Sequence, residues 1–534
     1  MLTAFGCGSS EQAEASASQT PIPQYTLPPV AKKTVPQSGG ELTFAVPNKE
    51  GTSYNPLKVK NVELYNLFSL IYEQPIRIGS DGKAQPELVE TWKVDDTGTV
   101  WTFALRKGVK WQDDHGDFTS ADILYTINQI RSYTAADSPY AKYNSLISDC
   151  TAVDENTISL TMTEPGNAAL YFMTFPVLCK AYCENGSLDN DVPVGTGPYY
   201  VSDFNMPDGM TLQPNSVWWK QQPYIQKLNV VGSPDHDSEM SSFEQNLINV
   251  VTTSELTVDT YQKYNEVDYV DYQTQYYDCL LPNMTGLFQD VNLRLALAYA
   301  LDKRDIISKA LLGHAAAVDY PVPPDSFLSG GSANISEFNR QKAMEILEKS
   351  GWKDRDNNGV VEQVNGNQIT ELNFELLIPT DSKDTYRGDV ADNIVSQLKE
   401  CGMNVTIKEE SSEDYKKSLE SGSFQLALCT FYLDVNPDVT PLVGTEGSCN
   451  YGKFSDTELD GLLKTCNTAT EDGSMKEAYL KMEDRFLAVM PQIGLYFRTN
   501  ALLYKADITV ANGMRDRNLF STIPSWYMYE KEAD

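Results

Sequence analysis

Two α/β lobes are predicted by three features of this 534-residue chain. Its length exceeds what one hydrophobic core fills, so at least two domains are expected. From Leu372 to Thr430 strand-type and helix-type patterns alternate as β-α-β-α-β, which implies a partly parallel sheet with helices on its faces. After the last long helical pattern, Gly494 to Arg498 reads as a strand that returns to the first lobe.

In chain order, residues 8 to 39 are rich in Ser, Ala, Pro and Gln and read as a disordered tether. Structure is expected from Glu41, where L-T-F-A-V is a strand. Asn55-Pro56-Leu57 is a turn, and Leu64, Leu67, Phe68 and Ile71 share a helical face. Ser80-Asp81-Gly82 is a hairpin turn, Pro86 to Trp92 a connector, and Thr99 to Leu105 a strand. Thr119 caps a helix with Asp122 three residues on and Ile123, Ile127 and Ile130 on one face. Gly195, Gly197 and Pro198 form a tight loop before a β-type run from Tyr199 to Val201, and Trp218-Trp219 follow, read as packing residues. Leu228 to Val231 is a strand and Ser238 to Asn246 a helix. Asp290 to Leu312 is predicted as one helix with Leu293, Leu297 and Leu301 in a stripe. In the last third, Val390 to Glu400, Asp414 to Glu420, Ser455 to Thr465 and Met475 to Met490 are helices.

The balance of 42 basic and 74 acidic residues gives a net charge of −32, which repels nucleic acid and anionic lipid. No apolar run is long enough to span a bilayer. Three histidines and no paired C-x-x-C leave no zinc pattern, and beyond Cys7 the eight cysteines can be disulfides or free thiols. Asp354, Asp356, Asn358 and Gly359 follow the spacing of a calcium loop, but Asn365 stands where an EF-hand needs Glu, so the stretch is read as a solvated turn and no metal is expected. There is no P-loop, G-x-S-x-G, H-E-x-x-H or dinucleotide fingerprint, so neither an enzyme nor a cofactor is expected.

Four blocks occur in order: G-K-A-Q-P-E-L-V-E-T-W, W-T-F-A-L-R-K-G-V-K-W, F-T-S-A-D-I-L-Y, and P-V-G-T-G-P-Y-Y-V followed by N-S-V-W-W-K-Q-Q-P-Y. Together they resemble the extracytoplasmic solute-binding proteins of the dipeptide, oligopeptide and nickel family, family 5. The helix D-V-N-L-R-L-A-L-A-Y-A-L-D-K-R-D-I-I is similar to another block of that family. The resemblance implies a bilobal periplasmic-binding-protein-like fold (type II, "Venus flytrap") with a discontinuous first lobe. The expected boundaries are 1–40 for a lipoprotein signal remnant and tether, 41–278 plus 497–534 for lobe I, and 279–496 for lobe II. M-L-T-A-F-G-C resembles the end of a bacterial lipoprotein signal, with Cys7 as the lipid-modified residue.

By the same resemblance, L-C-T-F-Y-L-D-V-N-P-D matches the segment whose aspartate holds a peptide's α-ammonium in peptide-binding members. Asp434 takes that role, with Phe431, Tyr432 and Asn436 beside it. Lys383 and Arg387 are candidates for the ligand carboxylate. Asn55 and the Gly195-Thr196-Gly197 loop are candidates for backbone contacts from the other lobe. The function implied is an extracytoplasmic, lipid-anchored, monomeric component of an ABC importer. It binds peptides between two lobes and delivers them to a permease with its ATPase subunits. Within the class, oligosaccharide or nickel-chelate binding is the alternative; outside it, a surface polymer hydrolase.

Overall fold

The computed structural model describes residues 36–529 apart from 49–52, 185, 187, 190, 265 and 331–336. Cys7 and most of the expected tether lie outside the described residues. One mixed sheet holds eleven strands, of which Ala315–Ala317 pairs off the main path with Ile493–Lys505. From one edge its strands are Asn404–Glu410, Asn373–Pro379, Leu426–Tyr432, Val267–Pro282, Ile493–Lys505, Val250–Thr253, Glu41–Pro47, Lys227–Ser233, Gly209–Pro214 and Tyr199–Asn205. Strand Asn373–Pro379 pairs in parallel with both Asn404–Glu410 and Leu426–Tyr432, as the β-α-β-α-β pattern predicts. Glu41–Pro47 is parallel to Lys227–Ser233.

Two strands are longer than the rest, and each contributes side chains to two separate cores. Val267–Pro282 and Ile493–Lys505 pair antiparallel from Val267↔Lys505 to Leu280↔Ile493, with the register interrupted between Gln273 and Tyr277. On either side of this interruption lie two cores. One gathers Leu42, Phe44, Trp101, Phe103 and Trp526; the other gathers Leu297, Leu376, Ile394, Leu428 and Tyr496. Residues from the late helices Thr457–Thr468 and Asp472–Val489, such as Leu463 and Phe486, pack into the first core. Asn167 Nδ2 fixes that contact by donating to Cys466 O and Ala469 O, both at 3.0 Å.

A second, four-stranded antiparallel sheet carries helix Ser120–Arg131. Its order is Val89–Val94, Val100–Leu105, Thr157–Met162, Ile147–Asp154. The capping box at Thr119 and Asp122 forms as expected, and Asp122 Oδ1 also accepts the Lys180 amide at 2.9 Å. Two expectations need correction. The stretch expected to be a connector contains strand Val89–Val94, whose exposed Glu90 and Lys93 mask the alternation of an edge strand. The helix expected across 290–312 is two helices, Val291–Ala300 and Lys303–Ala310. Asp302 divides them: its carboxylate accepts the Arg304 and Asp305 amides at 3.1 Å each, a capping bond that competes with continuing the helix. All eight cysteines within the described residues are free thiols; Cys279 and Cys429 face each other across paired strands.

Asp278, on the long strand just past the register break, is 0 % exposed. Its Oδ2 lies 3.2 Å from Arg498 Nε of the return strand, and its Oδ1 accepts the Thr430 hydroxyl at 2.6 Å. Arg387, on helix Tyr386–Lys399, donates to that same hydroxyl and to Leu428 O at 3.0 Å. One carboxylate therefore joins three strands and a helix. Asp278→Asn leaves the half-buried guanidinium groups of Arg387 and Arg498 without their counter-ion, so it should lower unfolding free energy by about 3 kcal/mol in urea titrations. A loss below about 1 kcal/mol would refute the network's structural role.

Candidate functional site

The loop carrying the sequence candidates begins where strand Leu426–Tyr432 leaves the sheet. Leu433 still pairs, donating its amide to Gln275 O at 2.9 Å. From Asp434 the chain turns on its own side chains. Asp434 Oδ1 accepts the Val435 amide at 2.6 Å, Asn436 Oδ1 the Asp438 amide at 3.2 Å, and Asp438 Oδ1 the Thr440 amide at 2.9 Å. Such turns need short polar side chains and a fixed φ, which D-V-N-P-D supplies. Asn467 Nδ2 anchors the loop from helix Thr457–Thr468 by donating to Asp438 at 2.8 Å.

Phe431, Tyr432, Asp434 and Asn436 line one wall of a cavity of about 310 Å³. Tyr65, Tyr72 and Tyr140 line it from the N-terminal part of the chain, and Arg515 and Arg517 from the C-terminal part. Aromatic faces with a few convergent charges are the usual make-up of a small-ligand site. Asp434 Oδ2 is in contact with Lys142 Nζ. Tyr432 carries much of the wiring: its hydroxyl donates to Asp516 Oδ2 at 3.3 Å and accepts Arg517 Nε at 3.3 Å, and its ring meets Tyr276 edge-on at 5.0 Å. Asp516 lines a second cavity of about 120 Å³ with Glu63, Glu239, Tyr272 and Tyr276. Burial above all, with Glu63 adding repulsion, pushes its carboxyl up to about 6, against the pull of Arg517 and the Tyr432 hydroxyl.

The other sequence candidates stand elsewhere. Lys383 is on the surface, ion-paired with Glu409 at 2.7 Å. Arg387 holds the strand backbone behind Phe431. Asn55 is buried, accepting the Leu57 amide at 3.0 Å and donating to the Tyr133 hydroxyl at 3.3 Å. In the Gly195-Thr196-Gly197 loop, the Gly195 amide donates to Gln112 Oε1 at 3.1 Å and the Gly197 amide to Ile71 O at 2.8 Å. A Cβ on Gly195 would fall 1.8 Å from Ile71 O, so only glycine permits this approach. Trp218 and Trp219 donate their indole N–H groups to buried Glu73, at 3.1 Å and 2.9 Å, and Lys220 bridges Glu73 to Glu87 on the cavity wall at 3.1 Å and 2.9 Å.

The Asp354, Asp356 and Glu362 carboxylates come within 4.8 Å of one another. Asp354 accepts the Asn358 and Gly359 amides at 3.2 and 3.1 Å, and Glu362 the Arg355 amide at 2.9 Å. Sequence reasoning missed Tyr65, Lys142 and Arg517. For Arg517 the sequence offers R-D-R in an aperiodic stretch of a strongly acidic chain.

The family described as bacterial extracellular solute-binding proteins, family 5 Middle, matches residues 83–453. The oligopeptide-binding protein AppA of Bacillus subtilis is 22% identical over 517 residues, covering 93% of this chain and 94% of its own. The nickel-binding periplasmic protein of Escherichia coli is 24% identical over 365 residues, covering 65% and 68%. Among solved structures, an ABC transporter substrate-binding protein from Sinorhizobium meliloti superposes with a TM-score of 0.79 at 17% identity, over 92% of this chain and 100% of that one. The AppA structure in complex with a nonapeptide gives 0.63 at 19% identity, over 93% and 100%. These likenesses establish the bilobal fold.

Asp516 gives the site a pH dependence. Its folded carboxyl holds a proton more tightly than the ordinary 3.8. Its contribution to stability is therefore whole below that value and lost as pH rises through about 6. Asp516→Asn should flatten this part of the stability–pH curve and raise stability at neutral pH by about 2–3 kcal/mol. Urea unfolding across the acid range reads it; an unchanged slope would show that Asp516 does not titrate there.

Proposed function

The chain belongs to the bacterial extracellular solute-binding proteins, family 5, and from that premise we propose that it is the substrate-binding component of an ATP-driven importer, closing two lobes over a peptide. The observation that carries this reading is Asp434: a loop carboxylate on the cavity wall, already in contact with an ammonium, that of Lys142. A peptide's α-ammonium is the same chemical group and takes Lys142's place. Phe431 and Tyr432 flank it with aromatic surface, and Asn436 shapes the turn beneath.

We place the lobe boundaries at 278/279 and 496/497, close to the register break at residues 273–277, with the helices Thr457–Thr468 and Asp472–Val489 of the second segment packing across onto the first core. Opening and closing about that break is one equilibrium with binding, because the ligand stabilises the closed form only as far as it prefers it. The peptide's main chain runs like an added strand, so affinity comes from backbone pairing and side chains can vary. The protein works as a monomer at the outer face of the membrane, held by a lipid on Cys7. It captures and releases without turning ligand over, and delivers it to a permease with ATPase subunits. Among the described residues lining the cavity there is no histidine, which favours peptide over nickel chelate.

A thermal-shift screen against peptides, oligosaccharides and nickel chelates tests the class: peptides should raise Tm, and stabilisation by a sugar or chelate with none by any peptide would overturn it. Asp434→Asn should weaken binding of free-amine peptides roughly tenfold or more while leaving N-acetylated ones nearly unchanged. Equal losses in calorimetry would remove Asp434 from the amine-binding role.

A further inference from the structure

The junction around Asp278 holds more positive charge than negative. Arg498 is ion-paired with its carboxylate, and Arg387 lies within the pull of the same group. Among the described residues Arg387 has no ion pair of its own, so two guanidinium groups share one carboxylate. Neither arginine is among the residues that line the large cavity.

Strand pairing explains how the parts meet. Asp278 lies opposite Thr430 on one side and Tyr496 on the other, so the three side chains leave the sheet from one face. Arg387 is the second residue of helix Tyr386–Lys399 and reaches Thr430 on that face. Beside it, the Tyr386 hydroxyl accepts Arg498 Nη1 at 2.7 Å. The first turn of a 14-residue helix therefore stands over the junction and adds the positive end of its dipole.

Three donors here are buried and make no hydrogen bond: Arg387 Nε, Arg498 Nε and the hydroxyl of Tyr496, a residue 0 % exposed. Arg498 Nε and Asp278 Oδ2 are 3.2 Å apart, yet neither atom is hydrogen-bonded. A buried donor without an acceptor is destabilising, and native structures supply one. A water accepts from two donors through its lone pairs and leaves the surplus charge in place. A monatomic anion accepts from all three and cancels it. A carboxylate fits less well, because the guanidinium forks are already engaged. Arg387 spends its two Nη groups on Thr430 and Leu428 O, and Arg498 spends Nη1 on Tyr386. Single N–H and O–H points remain, which suit a spherical acceptor rather than a planar, bidentate one.

We propose that Arg387, Arg498 and Tyr496 bind a halide ion, of which chloride is the common one. The site is separate from the ligand cavity and does not depend on the peptide reading. It lies at the root of the cavity wall, since Phe431 follows Thr430 and Arg387 holds Leu428 O. An ion bound there completes the counter-charge of the strand from which the Asp434 loop departs.

Bromide replaces chloride and scatters X-rays anomalously, so crystals of the full chain soaked in sodium bromide test the site directly. An anomalous peak in contact with Arg387 Nε, Arg498 Nε and the Tyr496 hydroxyl is expected. An ordered water there without anomalous signal overturns the proposal. In solution, about 0.1 M sodium chloride or bromide should raise Tm by roughly 1–3 °C over sodium gluconate at equal ionic strength. Tyr496→Phe keeps the ring but removes one donor, and should lose most of that difference. A wild type with the same Tm in both salts, or a folded Tyr496→Phe with an undiminished halide response, overturns the proposal. If Tyr496→Phe does not fold, the anomalous map of the wild type decides.

Discussion

A carboxylate with no exposed surface, Asp278, is the constraint around which the two lobes are arranged. A buried charge is tolerated only while its counter-charges and hydrogen bonds stay in place. Asp278 therefore sets the spacing of the long strand that carries it, the return strand that carries Arg498, and the strand that carries Thr430. The two long strands contribute to both cores, and the third ends at the cavity. Phe431 and Tyr432 follow Thr430 directly, and Gln275, whose carbonyl holds Leu433, precedes Asp278 by three residues. The cavity wall is thus rigid at its root and turns freely only beyond Asp434, where local side-chain bonds replace the ladder.

The cavity itself is a contrast between a fixed aromatic lining and a few charges. Tyr276 meets Tyr432 edge-on, and Arg517 links Tyr432 to Tyr65, so the four form one connected series. Half-buried Trp218 and Trp219 and buried Glu73 form a separate unit that reaches the cavity through Lys220 and Glu87. Such supporting shells hold ligand-facing groups in place by satisfying the polar atoms behind them.

Much of this fold was legible from periodicity, and the reasons for the gaps are local. The capped helix after Thr119 and the parallel strands after Leu372 rest on hydrophobic spacing and a side-chain cap, both written in adjacent residues. Strand Val89–Val94 was not, because an edge strand keeps charge on its open face. The break at Asp302 was not, because a capping aspartate within a strong Leu/Ala stripe leaves the stripe intact on both sides. In the cavity, Phe431, Tyr432, Asp434 and Asn436 were visible as one contiguous loop. Arg517, Lys142 and Tyr65 were not, since they come from distant parts of the chain with no shared pattern. Lys383 and Arg387 follow from the family resemblance of the stretch after residues 372–378; in the structure Lys383 pairs with the surface Glu409 and Arg387 holds Leu428 O at the back of a strand.

The contact between Lys142 and Asp434 has a bearing on how affinity responds to the medium. Under the peptide reading a ligand ammonium that takes the place of Lys142 adds a cation to the site, because Lys142 stays tethered to the protein and only swings aside. The displaced ammonium remains within about one Debye length, roughly 8 Å at physiological salt. Mobile ions screen its repulsion of the incoming amine as well as the attraction of that amine to Asp434, so ionic strength acts on amine capture in two opposing directions.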